Sequence, residues 1–280
     1  MTVVVPAPLA GSVVDTHCHL DVHDRHLHGE VAPDADAVLQ AAREVGVKRV
    51  VQIGCEVASA RWSVDFARTR PEVIAGVAIH PNDASRLVER SGPEALDRAL
   101  AVIEELAVDP VVRAVGETGL DYFRTEQPWR SVQQDAFRWH IRLARRLGKT
   151  LVIHDRDAHE DVIDILLDEG PPDRVVFHCF SGDAQMARTC AEAGWYASFA
   201  GVITYRANES LRAALACVPD HLLLVETDAP YLTPQPNRGK ANGSYLMPDT
   251  VRKMAEVRGM DEAAMCGVLW RNALAAFGDW

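Results

Sequence analysis

Two histidines one residue apart form a candidate metal-binding pair. His17 and His19 follow a short apolar run, in the segment Asp15-Thr16-His17-Cys18-His19. Successive side chains of a β-strand point to opposite faces, so the two imidazoles share one face and Cys18 takes the other. Two imidazoles on one face suit a divalent metal ion. Taken alone, the pair is equally compatible with two exposed histidines or two core histidines that are hydrogen bonded.

Further residues of ligating type end apolar runs elsewhere in the chain. They are Glu117, His154, His178 and one carboxylate of the segment Glu226-Thr227-Asp228, which with His17 and His19 makes six. Each could by itself be a loop residue or a core histidine bonded to a carbonyl, but six residues placed alike favour a metal site. One catalytic zinc takes about three protein ligands, so this number predicts two ions. Two ions about 3.5 to 4 Å apart can clamp both oxygens of a phosphoryl displacement and generate hydroxide. Glu117 is the candidate bridging carboxylate.

These residues lie at the ends of predicted β-strands. Short β-branched runs alternate with longer segments of helical spacing, as in βα units. The predicted strands are 13–17, 49–53, 73–79, 111–117, 150–154, 175–178, 195–199 and 222–226. Predicted helices lie near 34–45, 58–69, 93–106, 129–147, 158–168, 184–193 and 207–216, with a final helical region after Pro248. Eight such units in 280 residues predict an α/β fold, the (β/α)8 TIM barrel, whose active site forms at the carboxyl ends of the strands.

The alternative fold is a doubly wound open sheet. That fold normally carries a glycine-rich turn between its first strand and helix, and the chain has no G-x-G-x-x-G segment. It also shows no internal repeat and no Pro, Gly or Ser linker, which predicts one domain over residues 1–280 with the barrel at about 13–277. The longest irregular stretch is 233–247, and a loop of that length is usually functional.

Charge and composition restrict the possible partners. A net charge of -11 leaves no chain-wide basic field to hold a duplex, so any contact with DNA must be local. The six cysteines form no C-x-x-C pair. No signal peptide and no long apolar run are apparent, which predicts a cytoplasmic protein without membrane contact, and no protein partner is predicted. His23, His26 and His28 could bind a third ion, although the pattern favours surface histidines.

The motifs together resemble the TatD family of metal-dependent deoxyribonucleases, which are amidohydrolase-like (β/α)8 barrels. The family's motifs occur here in order over nearly the whole chain: D-x-H-x-H at 15–19, H-P at 80–81, G-E-x-G-L-D-Y at 116–122, H-x-R at 154–156, H-C-F-S-G at 178–182 and E-T-D-A-P-Y-L at 226–232. The resemblance implies two metal ions. One is held by His17, His19, Glu117 and Asp228, and the second by Glu117, His154 and His178.

The resemblance also implies roles for residues around the metals. Asp228 orients or deprotonates the attacking water, and His80 contacts the scissile phosphate or supports a neighbouring residue. Arg156, Arg238 and Lys240 match substrate-binding positions and supply local positive charge, although solvated surface charge is the alternative for them. The catalytic set is therefore Asp228, Glu117 and His80.

Two segments depart from the family pattern. Gly243-Ser244-Tyr245 replaces an acidic or polar residue followed by proline, and Tyr205-Arg206 replaces a common aromatic-lysine pair. Both departures leave the ligand set untouched, so they bear on substrate preference more than on hydrolysis.

The expected activity is hydrolysis of DNA phosphodiester bonds, as a 3′-5′ exonuclease that prefers single strands and uses two divalent ions (Mg, Mn or Zn). Because histidine must be neutral to bind a metal, activity is expected to fall below about pH 6. The same metals could instead serve hydrolysis of a carboxylic ester, lactone, amide or aminoacyl-tRNA ester, since such barrels host several hydrolyses. A metal-stabilised scaffold without activity is a third hypothesis.

Overall fold

The computed structural model describes residues 3–22 and 34–280, so His23, His26 and His28 lie outside the described residues. Within those ranges eight strands form one sheet in the order β1 to β8. They are β1 (Val13–Cys18), β2 (Val47–Gly54), β3 (Val73–Val77), β4 (Val112–Asp121), β5 (Thr150–Arg156), β6 (Val175–Phe177), β7 (Tyr196–Phe199) and β8 (Leu223–Val225). The described pairs are parallel. Strand number, order and direction confirm the predicted (β/α)8 TIM barrel.

Helices connect the strands. Over the described ranges they are α1 (Ala35–Glu44), α2 (Val57–Arg68), α3 (Pro81–Ser91), α4 (Pro93–Ala107), α5 (Arg130–Leu147), α6 (His159–Glu169), α7 (Ala184–Glu192), α8 (Glu209–Cys217), α9 (Met247–Arg258) and α10 (Glu262–Phe277). Short 3-10 turns occupy Gln127–Trp129, Gly201–Thr204, Asp220–Leu222 and Ser244–Leu246. None of the helices in this part of the chain is long and apolar enough to cross a membrane.

Helix α3 was not expected from the sequence. The residues that it buries are Pro81, Asn82, Ala84 and Ser85, which are small or polar. Only Ala84, Leu87 and Val88 form an apolar stripe at helical spacing, and a stripe of little more than one turn is a weak signal for a helix in a sequence. The helix is instead defined by its start, where Pro81 occupies the first turn and His80 is the N-cap.

Contacts divide the chain into two compact units. Unit 1 comprises Met1–Gln52 and Gly182–Ala275, and unit 2 comprises Ile53–Ser181 and Ala276–Trp280. Unit 1 contains β1, most of β2, β7, β8, α1, α7, α8, α9 and most of α10, whereas unit 2 contains β3 to β6 and α2 to α6. The assignment of residues 1–280 to a single domain stays a prediction.

In unit 1 the first strand lies beside the segment that follows the last strand. All six residues of β1 are buried, as expected for a parallel strand covered on both faces. Cys18, at the end of β1, forms a parallel bridge with Ala229, which follows β8. This pairing places the predicted ligands at the end of β1 next to those that follow β8.

In unit 2 the central strand β4 is longer than the sequence indicated. Its predicted end was Glu117, but pairing continues with β5 up to the partners Asp121 and Arg156. Between Val115 and Thr118 the register shifts, so Glu117 sits at an irregularity in the ladder. Irregularities of this kind often lie beside active sites, where they re-aim a side chain. Glu117 and His154 are therefore inside their strands rather than at the ends.

His140 of α5 is fully buried. Its Nδ1–H donates to the carbonyl oxygen of Ala136 at 2.7 Å, and its Nε2 accepts from the N–H of Ile79 at 3.2 Å. Both nitrogens are thus used by the neutral ring. Burial lowers the pKa of His140 from 6.5 to about 4.

We expect this histidine to make folding sensitive to acid. Between pH 6.5 and pH 4 the unfolded chain binds a proton at His140 that the folded protein does not. The free energy of unfolding therefore decreases as the pH is lowered through this range, by ~3 kcal/mol in total. Urea unfolding at pH 7.5 and pH 4.5 checks this. Between pH 7.5 and pH 4.5 the free energy of unfolding of the wild type should decrease by ~2.5 kcal/mol more than that of His140→Gln, which lacks the titrating ring. Equal losses in the two proteins would contradict the expectation.

Candidate functional site

The first donor group, called the unit 1 group, consists of His17, His19 and Asp228. The Nε2 atoms of the two histidines lie 3.3 Å apart. Oδ1 of Asp228 is 3.9 Å from Nε2 of His17 and 3.4 Å from Nε2 of His19. Both imidazoles are buried, whereas the side chain of Asp228 keeps 15% of its surface exposed. Two nitrogens and one carboxylate oxygen that converge in this way fit a divalent metal ion with mixed ligands.

Backbone hydrogen bonds hold the unit 1 group together. The N–H of Asp228 donates to the carbonyl oxygen of His17 at 2.9 Å, and the N–H of His19 donates to that of Ala229 at 2.8 Å. Asp228 itself has a φ of +53°, a left-handed conformation that aspartate tolerates better than most residues. The carboxylate is thereby aimed at the histidines by the main chain.

Asp15, which belongs to the D-x-H-x-H motif but was not a predicted site residue, supports this arrangement. Its carboxylate accepts hydrogen bonds from the N–H of Thr227 at 2.9 Å, from Oγ1 of Thr227 at 2.6 Å and from Oγ of Ser244 at 2.7 Å. Burial raises the pKa of Asp15 to about 6, although these bonds act to lower it. Asp15 ties β1 to the segment that carries Asp228.

The second donor group, called the unit 2 group, is centred on one oxygen of Glu117. Its Oε1 lies 2.6 Å from Nδ1 of His154, 2.8 Å from Nε2 of His178 and 3.5 Å from Nε2 of His80. The ligand atoms of Glu117, His154 and His80 all lie within 4.8 Å of one another. Sγ of Cys55 is 3.6 Å from the other carboxylate oxygen. Within this group, Glu117, His154 and His178 fit a divalent ion, since they combine imidazole nitrogens with a carboxylate.

His80 differs from the other histidines of the unit 2 group because one of its nitrogens is already occupied. Its Nδ1 accepts the N–H of Asn82 at 3.1 Å, which caps α3. In a neutral ring whose Nδ1 is the acceptor, the proton is on Nε2. A protonated nitrogen donates a hydrogen bond and does not ligate a metal. This tautomer favours the predicted phosphate contact for His80.

Asp121 also belongs to the site, although it was not a predicted site residue. Its Oδ2 lies 3.3 Å from Nε2 of His154 and accepts from Nδ2 of Asn82 at 2.8 Å, while its Oδ1 accepts from the N–H of Arg124 at 2.9 Å. Burial acts to raise the pKa of Asp121, but hydrogen bonds from His154, Asn82 and Arg124 hold it well below its usual range. A carboxylate on the far nitrogen of a ligating histidine orients the ring. The only sequence signal was its place in G-E-x-G-L-D-Y.

We expect His154 to set the acid limit of activity. Burial lowers its pKa, but Asp121 and Glu117 more than offset this and raise the pKa above 6.5. The proton therefore competes with the metal at a higher pH than for a free histidine. As the pH is lowered, activity should begin to fall while the pH is still above 6.5, rather than near pH 6. In Asp121→Asn the pKa of His154 drops and this limb should move to lower pH, with activity at neutral pH reduced by about 10- to 100-fold. A pH-rate profile that keeps the wild-type limb would contradict this role for Asp121.

The three predicted cationic residues occupy different places. Arg156, at the end of β5, lies with its guanidinium carbon 4.0 Å from the ring centre of Phe123. In the loop after β8, Arg238 covers the ring of Tyr205 at 4.3 Å, and Nζ of Lys240 donates to Oδ1 of Asn237 at 2.9 Å. Arg156 belongs to unit 2, and Arg238 and Lys240 belong to unit 1. Substrate binding by all three stays a prediction.

Comparison with known proteins gives a consistent result. Residues 14–278 match the family model described as TatD related DNase. The chain is 44% identical over 277 residues to a Mycobacterium tuberculosis protein named uncharacterized metal-dependent hydrolase TatD, with 95% of this chain and 98% of that protein covered. It is 35% identical over 266 residues to the Escherichia coli K12 protein named uncharacterized metal-dependent hydrolase YcfH, with 95% of each covered. The crystal structure of the TatD homologue YjjV from Escherichia coli superimposes with a TM-score of 0.83 at 26% identity, over 95% of this chain and 97% of that one.

Proposed function

Because the chain belongs to the TatD family of metal-dependent hydrolases, we propose that it is a deoxyribonuclease that removes nucleotides from the 3′ end of single-stranded DNA. The observation that carries this proposal is the presence of two donor sets of mixed nitrogen and oxygen ligands, one in each unit. One such set is enough for a structural ion. Carboxylates and imidazoles are also the ligand types on which two-ion phosphoryl-transfer sites draw.

The ligands divide between the two groups. His17, His19 and Asp228 would hold one ion, and Glu117, His154 and His178 would hold the other. Sharing of Glu117 between both ions is a prediction from family resemblance. When bound, divalent ions acidify water and offset the charge that develops on the phosphate. Magnesium, manganese and zinc are all compatible with these ligands.

The protein's own residues supply the remaining steps. Asp228 orients the attacking water and accepts its proton as the water oxygen bonds to phosphorus. The bond between phosphorus and the 3′ oxygen then breaks, and that oxygen takes up a proton. His80 donates its Nε2–H to a phosphate oxygen, and Arg156 pairs with phosphate through its guanidinium. Asp121 and Asp15 act through their neighbours and hold the ligands in place.

A nucleotide-release assay tests the proposal. Purified protein is stripped with EDTA, reloaded separately with magnesium, manganese or zinc, and given single-stranded DNA labelled at the 3′ end or at the 5′ end. Early release of the 3′ label as a mononucleotide, dependent on metal, is the expected result. Protein that binds metal but leaves DNA intact while hydrolysing an aminoacyl-tRNA, a lactone or a simple ester overturns the nuclease assignment. Metal-loaded protein that is inactive on every substrate points to a scaffold.

A further inference from the structure

Two exposed aromatic side chains follow the strands that carry the donor groups. Six large apolar side chains are strongly exposed in the described ranges, and of these Phe123 and Tyr231 are aromatic. Phe123 comes two residues after Asp121, and Tyr231 comes three residues after Asp228. An exposed aromatic ring beside a site that would act on DNA offers a face on which a nucleobase can stack. Phe123 is the more exposed of the two, at 63%.

The backbone that carries Phe123 is firmly held. The N–H of the preceding residue, Tyr122, donates to the carbonyl oxygen of Arg156 at 2.9 Å. Its hydroxyl donates to Oδ2 of Asp161 at 2.5 Å and accepts from Nε2 of Gln134 at 2.7 Å. Phe123 is thus exposed on a turn whose backbone is held by hydrogen bonds, which lowers the entropic cost of ordering this segment on binding.

A cation accompanies the ring. The guanidinium of Arg156 lies 4.0 Å from the ring centre of Phe123. Arg156 is also the ladder partner of Asp121, whose carboxylate contacts His154 of the unit 2 group. An aromatic face beside a guanidinium, next to ligands that would act on phosphate, matches the two parts of a nucleotide, its base and its phosphate.

We propose that Phe123 is the stacking platform for a nucleobase of the substrate strand and that Arg156 pairs with the neighbouring phosphate. The inference rests on the proposed nuclease function, and it gives a physical reason why the protein would prefer single-stranded DNA to a duplex. In a duplex the bases stack on one another and cannot cover the ring, whereas a single strand can present any base, since every base has a π face.

Kinetics on intact and abasic strands test this platform. Phe123→Ala should raise KM for a single-stranded oligonucleotide by about 10-fold with less than a twofold change in kcat, because stacking is lost while the metal ligands stay. On the same strand with abasic residues at its 3′ end, Phe123→Ala and wild type should be equal. Phe123→Trp should restore KM. Leu167→Ala, which removes an equally exposed apolar side chain on α6, is the matched control and should change neither parameter.

A binding measurement separates this inference from the proposed function. In EDTA, the fluorescence of a single strand carrying 2-aminopurine near its 3′ end should be quenched by wild type and by Leu167→Ala but not by Phe123→Ala. Quenching that depends on Phe123 in a protein that cuts no DNA would support the platform and overturn the nuclease. DNA cleavage by wild type with unchanged KM and unchanged quenching in Phe123→Ala would overturn the platform and leave the nuclease in place.

Discussion

Replacing Glu117 by glutamine should reduce hydrolysis by about 10³-fold or more and lower the amount of bound metal. Oε1 of Glu117 has nitrogens of His154, His178 and His80 within 3.5 Å, so its negative charge is the centre of the unit 2 group. Glutamine has nearly the same shape but no charge, and it offers an N–H₂ group that donates instead of accepting. Both the ligation and the orientation of the surrounding imidazoles should be lost.

Three measurements on Glu117→Gln check this expectation: initial rates on labelled DNA, metal content by mass spectrometry after dialysis, and thermal unfolding. Glu126→Gln is the matched control, because it makes the same change at an exposed glutamate of the same unit. It should keep the rate and the metal content of the wild type. A Glu117→Gln protein that hydrolyses DNA as fast as Glu126→Gln would show that the unit 2 group does not carry the reaction.

Replacing Gly119 by alanine should destabilise the protein by ~4 kcal/mol and impair the site. A Cβ at this position would lie 2.0 Å from the backbone oxygen of His154, and the φ of +137° is itself unfavourable for a side chain. The atom in the way is main chain and cannot rotate aside. Strands β4 and β5 would have to separate where Gly119 pairs with His154, and the imidazole of that residue would move with its backbone.

Gly148→Ala provides the comparison for this substitution. Gly148 ends α5 at a φ of +61°, and no heavy atom lies within 4 Å of a Cβ built there. Gly148→Ala should lower the free energy of unfolding by ~1 kcal/mol, from the strained backbone conformation alone. Urea unfolding of both variants, together with metal content, measures the difference. Equal urea midpoints for the two variants would refute the steric argument at Gly119.

The order of strands and helices along the chain could be predicted from the sequence, because the apolar patterns that indicate them lie within short segments. Alternation within a strand placed His17 and His19 on one face, and the two Nε2 atoms are in fact 3.3 Å apart. Apolar runs likewise marked the strands that carry Glu117 and His154 and the strand that ends just before His178. Helix α3 escaped detection because the residues that it buries are small or polar, so its apolar stripe is limited to Ala84, Leu87 and Val88.

Other features of the site depend on contacts that no local pattern encodes. The register of β4 against β5 shifts between Val115 and Thr118, and this shift brings Asp121 opposite Arg156 and close to His154. The proton position on His80 follows from its capping of a helix that was not predicted. The exposure of Phe123 depends on how residues distant in the chain, such as Arg156 and Asp161, hold the turn that carries it.

The sequence by itself therefore determined the residue types available for metal binding, the strands that carry them and the (β/α)8 order. These follow from backbone geometry and apolar spacing within short segments. Only the tertiary structure decided that Asp228 lies against β1 through the bridge at Ala229, and that Asp15 and Asp121 brace the ligands. Such pairings join residues that are distant in the chain, and they are selected by the packing of the whole core rather than by any one segment.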